Sequence, residues 1–392
     1  MRHQLPQAKR LAICSAALAG LGLAIAPAVA GASPTTTSPV VGDVYVNDNT
    51  TGVNTIAAFA RHADATLTPL AGSPFFAGGT GTGVSLASQG ALQITPDGKF
   101  VVAVDAGSNQ ISVLRVENDG SLKLQPGGVV SSGGSLPVSV AIHDNLVYVA
   151  NAGPTDANYT GFTLSPSGRL TPLPDSTVAL PNGSQPGDVT FNATGANLIG
   201  TRIGTVPGTF LIDSFSVGSN GLLTAAPASP FPAQAAGPFG SEFNPANPSQ
   251  LFVSNAHQGA GQGSVSAFTA AGDGTLSAVS PTPFANGQSG TCWVDVNNSG
   301  TALFAVNTGS GTISSYSIGA NGVLTLAGNT PVSAQAGVGA VDVRLGPAGN
   351  TLWVDESKAD QIGVFAVNGT SLTQLPTVAL PAGAAAAGIV VT

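Results

Sequence analysis

The chain has 392 residues and a net charge of -8; only 8% are charged while 43% are hydrophobic, and there are 52 glycines and 28 prolines. An ordinary soluble domain carries about 25% charged residues, so Ser, Thr, Asn, Gln and Gly must cover most of this surface. No basic patch exists, which excludes a nucleic-acid backbone as partner.

In chain order, the first element is a leader. Lys9 and Arg10 precede the apolar stretch LAICSAALAGLGLAIAPAVA, and Ala28-Val29-Ala30 offers the small residues a signal peptidase accepts. Residues 1–30 are therefore expected to be a signal peptide that sends the chain out of the cytoplasm. The alternative is a retained anchor, because the apolar run is nearly long enough to span; Pro27 and the small residues favour cleavage. Cleavage leaves eight basic residues against all 19 acidic ones, a net charge of -11. It also removes Cys14, so Cys292 in TCWVDV has no intramolecular disulfide partner and is expected to be a small core residue rather than a nucleophile. No later segment holds about 18 uninterrupted apolar residues. Residues 31–40, rich in Pro, Ser and Thr, are expected to be a flexible lead-in.

From residue 41 to residue 392 the chain repeats itself. Short apolar runs end in a small polar residue at Asn47, Asp105, Asn151, Thr201, Asn255, Asn307 and Asp355, with a mean spacing of about 51 residues. Each run is followed by an alternating one, as in QISVLRV or SVSAFTA, whose side chains point to opposite faces of a sheet. A turn with Asp-Gly, Asn-Gly or Ser-Gly then leads to a Leu-containing run, as in DGSLKLQ or NGVLTLA. The strand before each next unit closes the pattern: GALQI, VSVAI, GDVTF, GSEF, CWVDV and AVDVRL. Four short strands per unit, seven times over, predict an all-β, seven-bladed β-propeller of four-stranded antiparallel blades. The first unit lacks such a strand before DVYVN, and the chain ends on AAGIVVT with no unit after it. The two ends are expected to complete one blade together, so that residues 41–392 form a single monomeric domain.

The repeat, as in PDGKFVVAVDAGSNQISVLRV and NNSGTALFAVNTGSGTISSYSI, resembles the YVTN-type and lactonase-like seven-bladed propellers, which include 6-phosphogluconolactonases. That resemblance implies the propeller fold over the whole mature chain. It also implies functional side chains where inner strands meet the channel mouth, and those places are altered here. Against the family's Pro-His-x-His pattern stand Ser88 and Gly90; against Gly-Pro-Arg-His stands Gly237-Pro238-Phe239-Gly240; and Ala256 stands where a glutamate is expected. The expected function is thus an exported, non-catalytic scaffold that binds a protein or a carbohydrate, and the alternative is an extracytoplasmic lactone hydrolase.

For that alternative the candidate catalytic residues are Glu242 on an inner strand, His257 in a loop after a strand end, and Arg344. Glu242, Asp295 and Asp342 lie on three successive inner strands and are candidate binding residues at the channel mouth. Converging carboxylates suit a hard cation such as Ca²⁺ through oxygen ligands. Asp342 and Arg344, two apart on one strand, are expected to share a face and pair. GTGTG at Gly79–Gly83 lacks the Lys-Ser/Thr and the helix of a phosphate loop.

Overall fold

The computed structural model describes residues 38–204, 208–332 and 339–392. The leader and most of the lead-in lie outside them. Within them the chain is all β, and its strands form seven antiparallel sheets. Blade 2 shows the plan: inner strand Leu92–Ile94, then Phe100–Asp105, Gln110–Val116 and outer strand Leu122–Ser131. Blades 3 to 7 repeat it, with inner strands Pro137–His143, Pro186–Phe191, Pro238–Asn244, Thr291–Val296 and Ala340–Leu345. In blades 1, 3, 4 and 5 the outer strand is broken into two short pieces, such as Leu67–Pro69 and Phe75–Phe76 in blade 1.

Blade 1 takes its inner strand, Ile389–Val391, from the far end of the chain and pairs it antiparallel with Val40–Asn47. Thr392 adds to the closure, since its carbonyl accepts from Arg61 Nε at 3.0 Å and its Oγ1 accepts from Asp43 N at 2.7 Å. The expected shared blade is thus present.

The alternating runs bury both faces because each sheet is sandwiched between two others. One apolar cluster lies at every blade junction: Tyr45, Ile56, Val101 and Leu114 join blades 1 and 2, while Val44, Phe59, Trp353 and Val364 join blades 1 and 7. The small polar residues that end the second strands stitch the loops at one end of the ring. Asn47 donates to Val104 O of the next blade at 3.1 Å, Thr201 Oγ1 donates to Phe239 O at 2.6 Å, and Asn307 accepts from Asn286 and Thr291 and donates to Ser314. They recur because buried turns need local hydrogen-bond partners.

Candidate functional site

Each inner strand pairs antiparallel with the second strand of its blade, so all run the same way along the channel. Their first residues mark an entry mouth and their last residues an exit mouth. The entry mouth is filled. Residues 88–90 leave blade 1 for blade 2 and pass across the axis. Gln89 N donates to Gly187 O of blade 4 at 3.0 Å, its side-chain Nε2 donates to Ser241 O of blade 5 at 3.0 Å, and its Oε1 accepts from Val294 N of blade 6 at 3.0 Å. Ser88 Oγ donates to Val138 O of blade 3 at 2.8 Å, and Ser88 O accepts from Trp293 Nε1 at 2.7 Å. Trp293 in turn packs edge-on against Phe239, with ring centroids 4.9 Å apart. Ser88, Gln89, Phe239 and Trp293 are all buried. A segment bonded to four other blades closes the channel here.

Gly90 and Gly240 make this plug possible. Gly90 has φ +78°, a left-handed backbone that a side chain strains, and a Cβ on Gly240 would stand 2.1 Å from Gln89 Oε1. Ser88, Gly90 and Phe239 hold places where the sequence resemblance implied functional side chains. They build a wall instead.

Further along the channel stand four carboxylates and one guanidinium. Asp188, Asp295 and Asp342 are buried, and each ties its blade to a neighbour. Asp188 Oδ2 accepts from Ser241 N at 2.8 Å and Ser241 Oγ at 2.6 Å, and its Oδ1 accepts from Ser139 Oγ at 3.1 Å. Asp295 Oδ2 accepts from Leu345 N at 2.6 Å while Oδ1 accepts from Val296 N at 2.9 Å. Asp342 accepts from Val343 N at 2.8 Å and from Ile389 N at 3.3 Å. Sequence reading missed Asp188, although GDVTF places an acid in an inner strand just as WVDV and AVDVRL do.

These contacts redirect several expectations. Asp295 and Asp342 sit inside the ring with both oxygens engaged on backbone N–H groups. Among the described residues no group of three or more His, Cys, Asp or Glu side chains is placed to hold a metal ion. Asp342 is the acid that acts most strongly on Arg344, as expected, but the two make no close ion pair among the described residues: Asp342 sits at a bulge with φ +31° and the register shifts between Val341 and Val343, which breaks the alternation that would put both on one face. Arg344 Nη1 lies instead 3.8 Å from Glu242 Oε2. His257 lies by the entry mouth, where its N donates to Ala236 O at 3.1 Å, and it is exposed. Among the described residues no ion pair or hydrogen bond joins it to Glu242 or Arg344. Cys292 is half-buried, and burial pushes its thiol up to about 12, far from a nucleophile's range.

Burial sets the electrostatics of this channel. Desolvation raises Glu242 to about 8, opposed by Arg344 and reinforced by Asp295 and Asp188. Desolvation likewise raises Asp188 to about 7 and Asp295 to about 6, and lifts Asp342. The surrounding acids hold Arg344 firmly protonated, against its own desolvation. At the exit mouth Glu242, Arg344, Gln93, His143, Thr190 and Asn192 line a cavity of about 240 Å³. Gln93 and His143 escaped sequence reading, since nothing in GALQI or AIHDN distinguishes a channel-facing polar side chain from a solvated one.

The family model for the seven-bladed β-propeller lactonases matches residues 32–190 and 243–388. The chain belongs to the lactonase seven-bladed β-propeller family. The stretch between the two matched segments includes Gly237–Gly240, part of the altered entry wall. Solved structures agree on the fold. The periplasmic gluconolactonase of Pseudomonas aeruginosa superposes with TM-score 0.71 at 15% identity, covering 89% of this chain and 98% of its own. A 6-phosphogluconolactonase-like protein of Bacteroides fragilis gives 0.70 at 18%, covering 92% and 99%, and a Lactobacillus plantarum protein 0.69 at 17%, covering 90% and 100%. No curated protein matches the chain.

Proposed function

We propose that this lactonase-family propeller is exported and binds its ligand without turning it over. The observation that carries the reading is the entry mouth: Ser88, Gln89, Phe239 and Trp293 fill and hydrogen-bond the space where the sequence resemblance implies catalytic side chains. A wall of buried, mutually satisfied groups stands where a substrate would enter, and among the described residues that build it none is an acid or a base. The leader at residues 1–30 supports export, and the scarcity of charge suits an extracellular surface coated with hydroxyl and amide groups.

Glu242 supports a second reading as a lactone hydrolase, because its raised carboxyl stands beside Arg344 in an open cavity. One experiment separates the two. The purified mature protein is assayed for opening of aliphatic, sugar and aromatic lactones beside Glu242→Ala. The binding reading expects no turnover above buffer from either. Turnover by the parent that disappears in the variant establishes the hydrolase instead.

A further inference from the structure

Polar side chains in the channel fall into two groups. Asp188, Asp295 and Asp342 spend their oxygens on donors of their own and neighbouring blades. The groups turned to the exit-mouth cavity do not. Arg344 makes no hydrogen bond among the described residues beyond its 3.8 Å approach to Glu242, and the Glu242 carboxylate and Gln93 amide accept or donate none from their side chains. His143 Nε2 reaches only Asp144, at 3.6 Å on the rim. Arg344 and Glu242 are well shielded, with 16% and 27% of their side chains exposed. A guanidinium and a carboxylate 3.8 Å apart, with no side-chain hydrogen bond of their own, and an amide that makes none converge on one cavity of about 240 Å³.

From this convergence we infer that the exit-mouth cavity is a binding site for a neutral polyhydroxylated ring, either a free monosaccharide or the terminal sugar of a glycan. Size supports this, since the cavity falls below the roughly 300–1,000 Å³ of sites for drug-sized ligands and suits a single ring. Hydrogen-bond chemistry supports it too. Arg344 offers only donors, Glu242 when ionised only acceptors, and Gln93 both, while each sugar hydroxyl gives one proton and accepts at its oxygen. Charge excludes the competitors. The acids around Arg344 offset its charge, so an aldonate or a sugar phosphate finds no net positive field to hold it. An organic cation meets Arg344, and a metal ion finds the Asp carboxylates already engaged. The inference deepens the binding reading and rests on it, since a ligand held here is held without turnover.

The test uses the mature protein and isothermal titration with glucose, galactose, mannose, myo-inositol and cellobiose as neutral probes. Glucose 6-phosphate, gluconate and Ca²⁺ serve as charged ones. Saturable binding of a neutral probe and none of a charged one is expected. Glucose against cellobiose separates a free sugar from a chain end. Glu242→Gln and Gln93→Ala should each weaken binding about tenfold, the loss of one good hydrogen bond. Should either variant fail to fold, amide shifts of Thr190 and Arg344 in the unsubstituted protein locate the ligand. The inference is overturned if no neutral probe binds, if a charged probe binds more tightly, or if bound sugar leaves those amides unmoved. Absence of sugar binding together with absence of lactone turnover sinks this inference alone, whereas lactone turnover sinks the binding reading.

Discussion

Gln89→Ala tests whether the entry plug is a locked part of the native ring. The residue is 2% exposed and its side chain makes two cross-channel hydrogen bonds, to Ser241 O and from Val294 N, each 3.0 Å. Truncation leaves a carbonyl and an N–H without those partners inside the ring. A buried polar group left unpaired costs about 1–3 kcal/mol, and a water entering the vacated space recovers part of it, so about 2–4 kcal/mol is expected. Over residues 38–392, an unfolding entropy of about 2.1 cal/mol/K per residue sums to roughly 0.75 kcal/mol/K, and Tm falls by about 3–5 °C. Differential scanning calorimetry measures the shift, and hydrogen exchange at Val294 N–H reports the local opening. A Tm within about 1 °C of the parent with unchanged Val294 protection would refute the locked plug, since the mutational scale predicts several times that.

Three further outcomes are expected. Asp48 and Asp188, each raised to about 7, Asp295 at about 6 and Glu242 at about 8 all keep protons in the folded state that the unfolded chain releases near pH 4. Folding takes up protons across that window, so stability is greatest near pH 4–5, declines as pH rises and levels off above about pH 8; a Tm that climbs from pH 5 to pH 8 contradicts the assignment. Deleting residues 389–392 removes Ile389 and Val390, both buried, and the three-residue ladder to Val44–Val46. The loss of at least about 5 kcal/mol rivals the whole stability of a typical domain, so near-UV circular dichroism should show a lost native signal. Asp213→Ala strips a buried pair in which Arg202 Nε donates to Oδ2 at 2.7 Å and Tyr159 Oη at 3.0 Å; urea unfolding should show a loss of about 3–5 kcal/mol, and a loss under 1 kcal/mol would show that Arg202 finds solvent instead.

The fold was legible because its signals are local and repeated. Strand, turn and alternation lie within a few residues of one another in every unit, and the unmatched ends at DVYVN and AAGIVVT announced their own pairing. The site was less so, because channel chemistry joins residues far apart in sequence. Gln89 and Ser241 are 152 positions apart, and Ser88 and Trp293 are 205. Glu242 and Arg344 were visible as charges in apolar strands, yet their mutual approach and the different partner of Asp342 depend on a bulge that no alternating pattern reveals. Asp188 carries the same signal as Asp295 and was overlooked. The substitution of Ser88 and Gly90 for histidines was readable as a loss; that the same stretch builds a barrier was not.

Sealing one mouth turns a tube into a cup. A molecule lodged against Glu242 and Arg344 has a single rim through which to arrive and depart, so nothing is threaded through the ring. Incoming and outgoing molecules must then compete for one doorway. Such a vessel suits capture and release governed by concentration alone, and whatever occupies it presents its outer side to the surroundings.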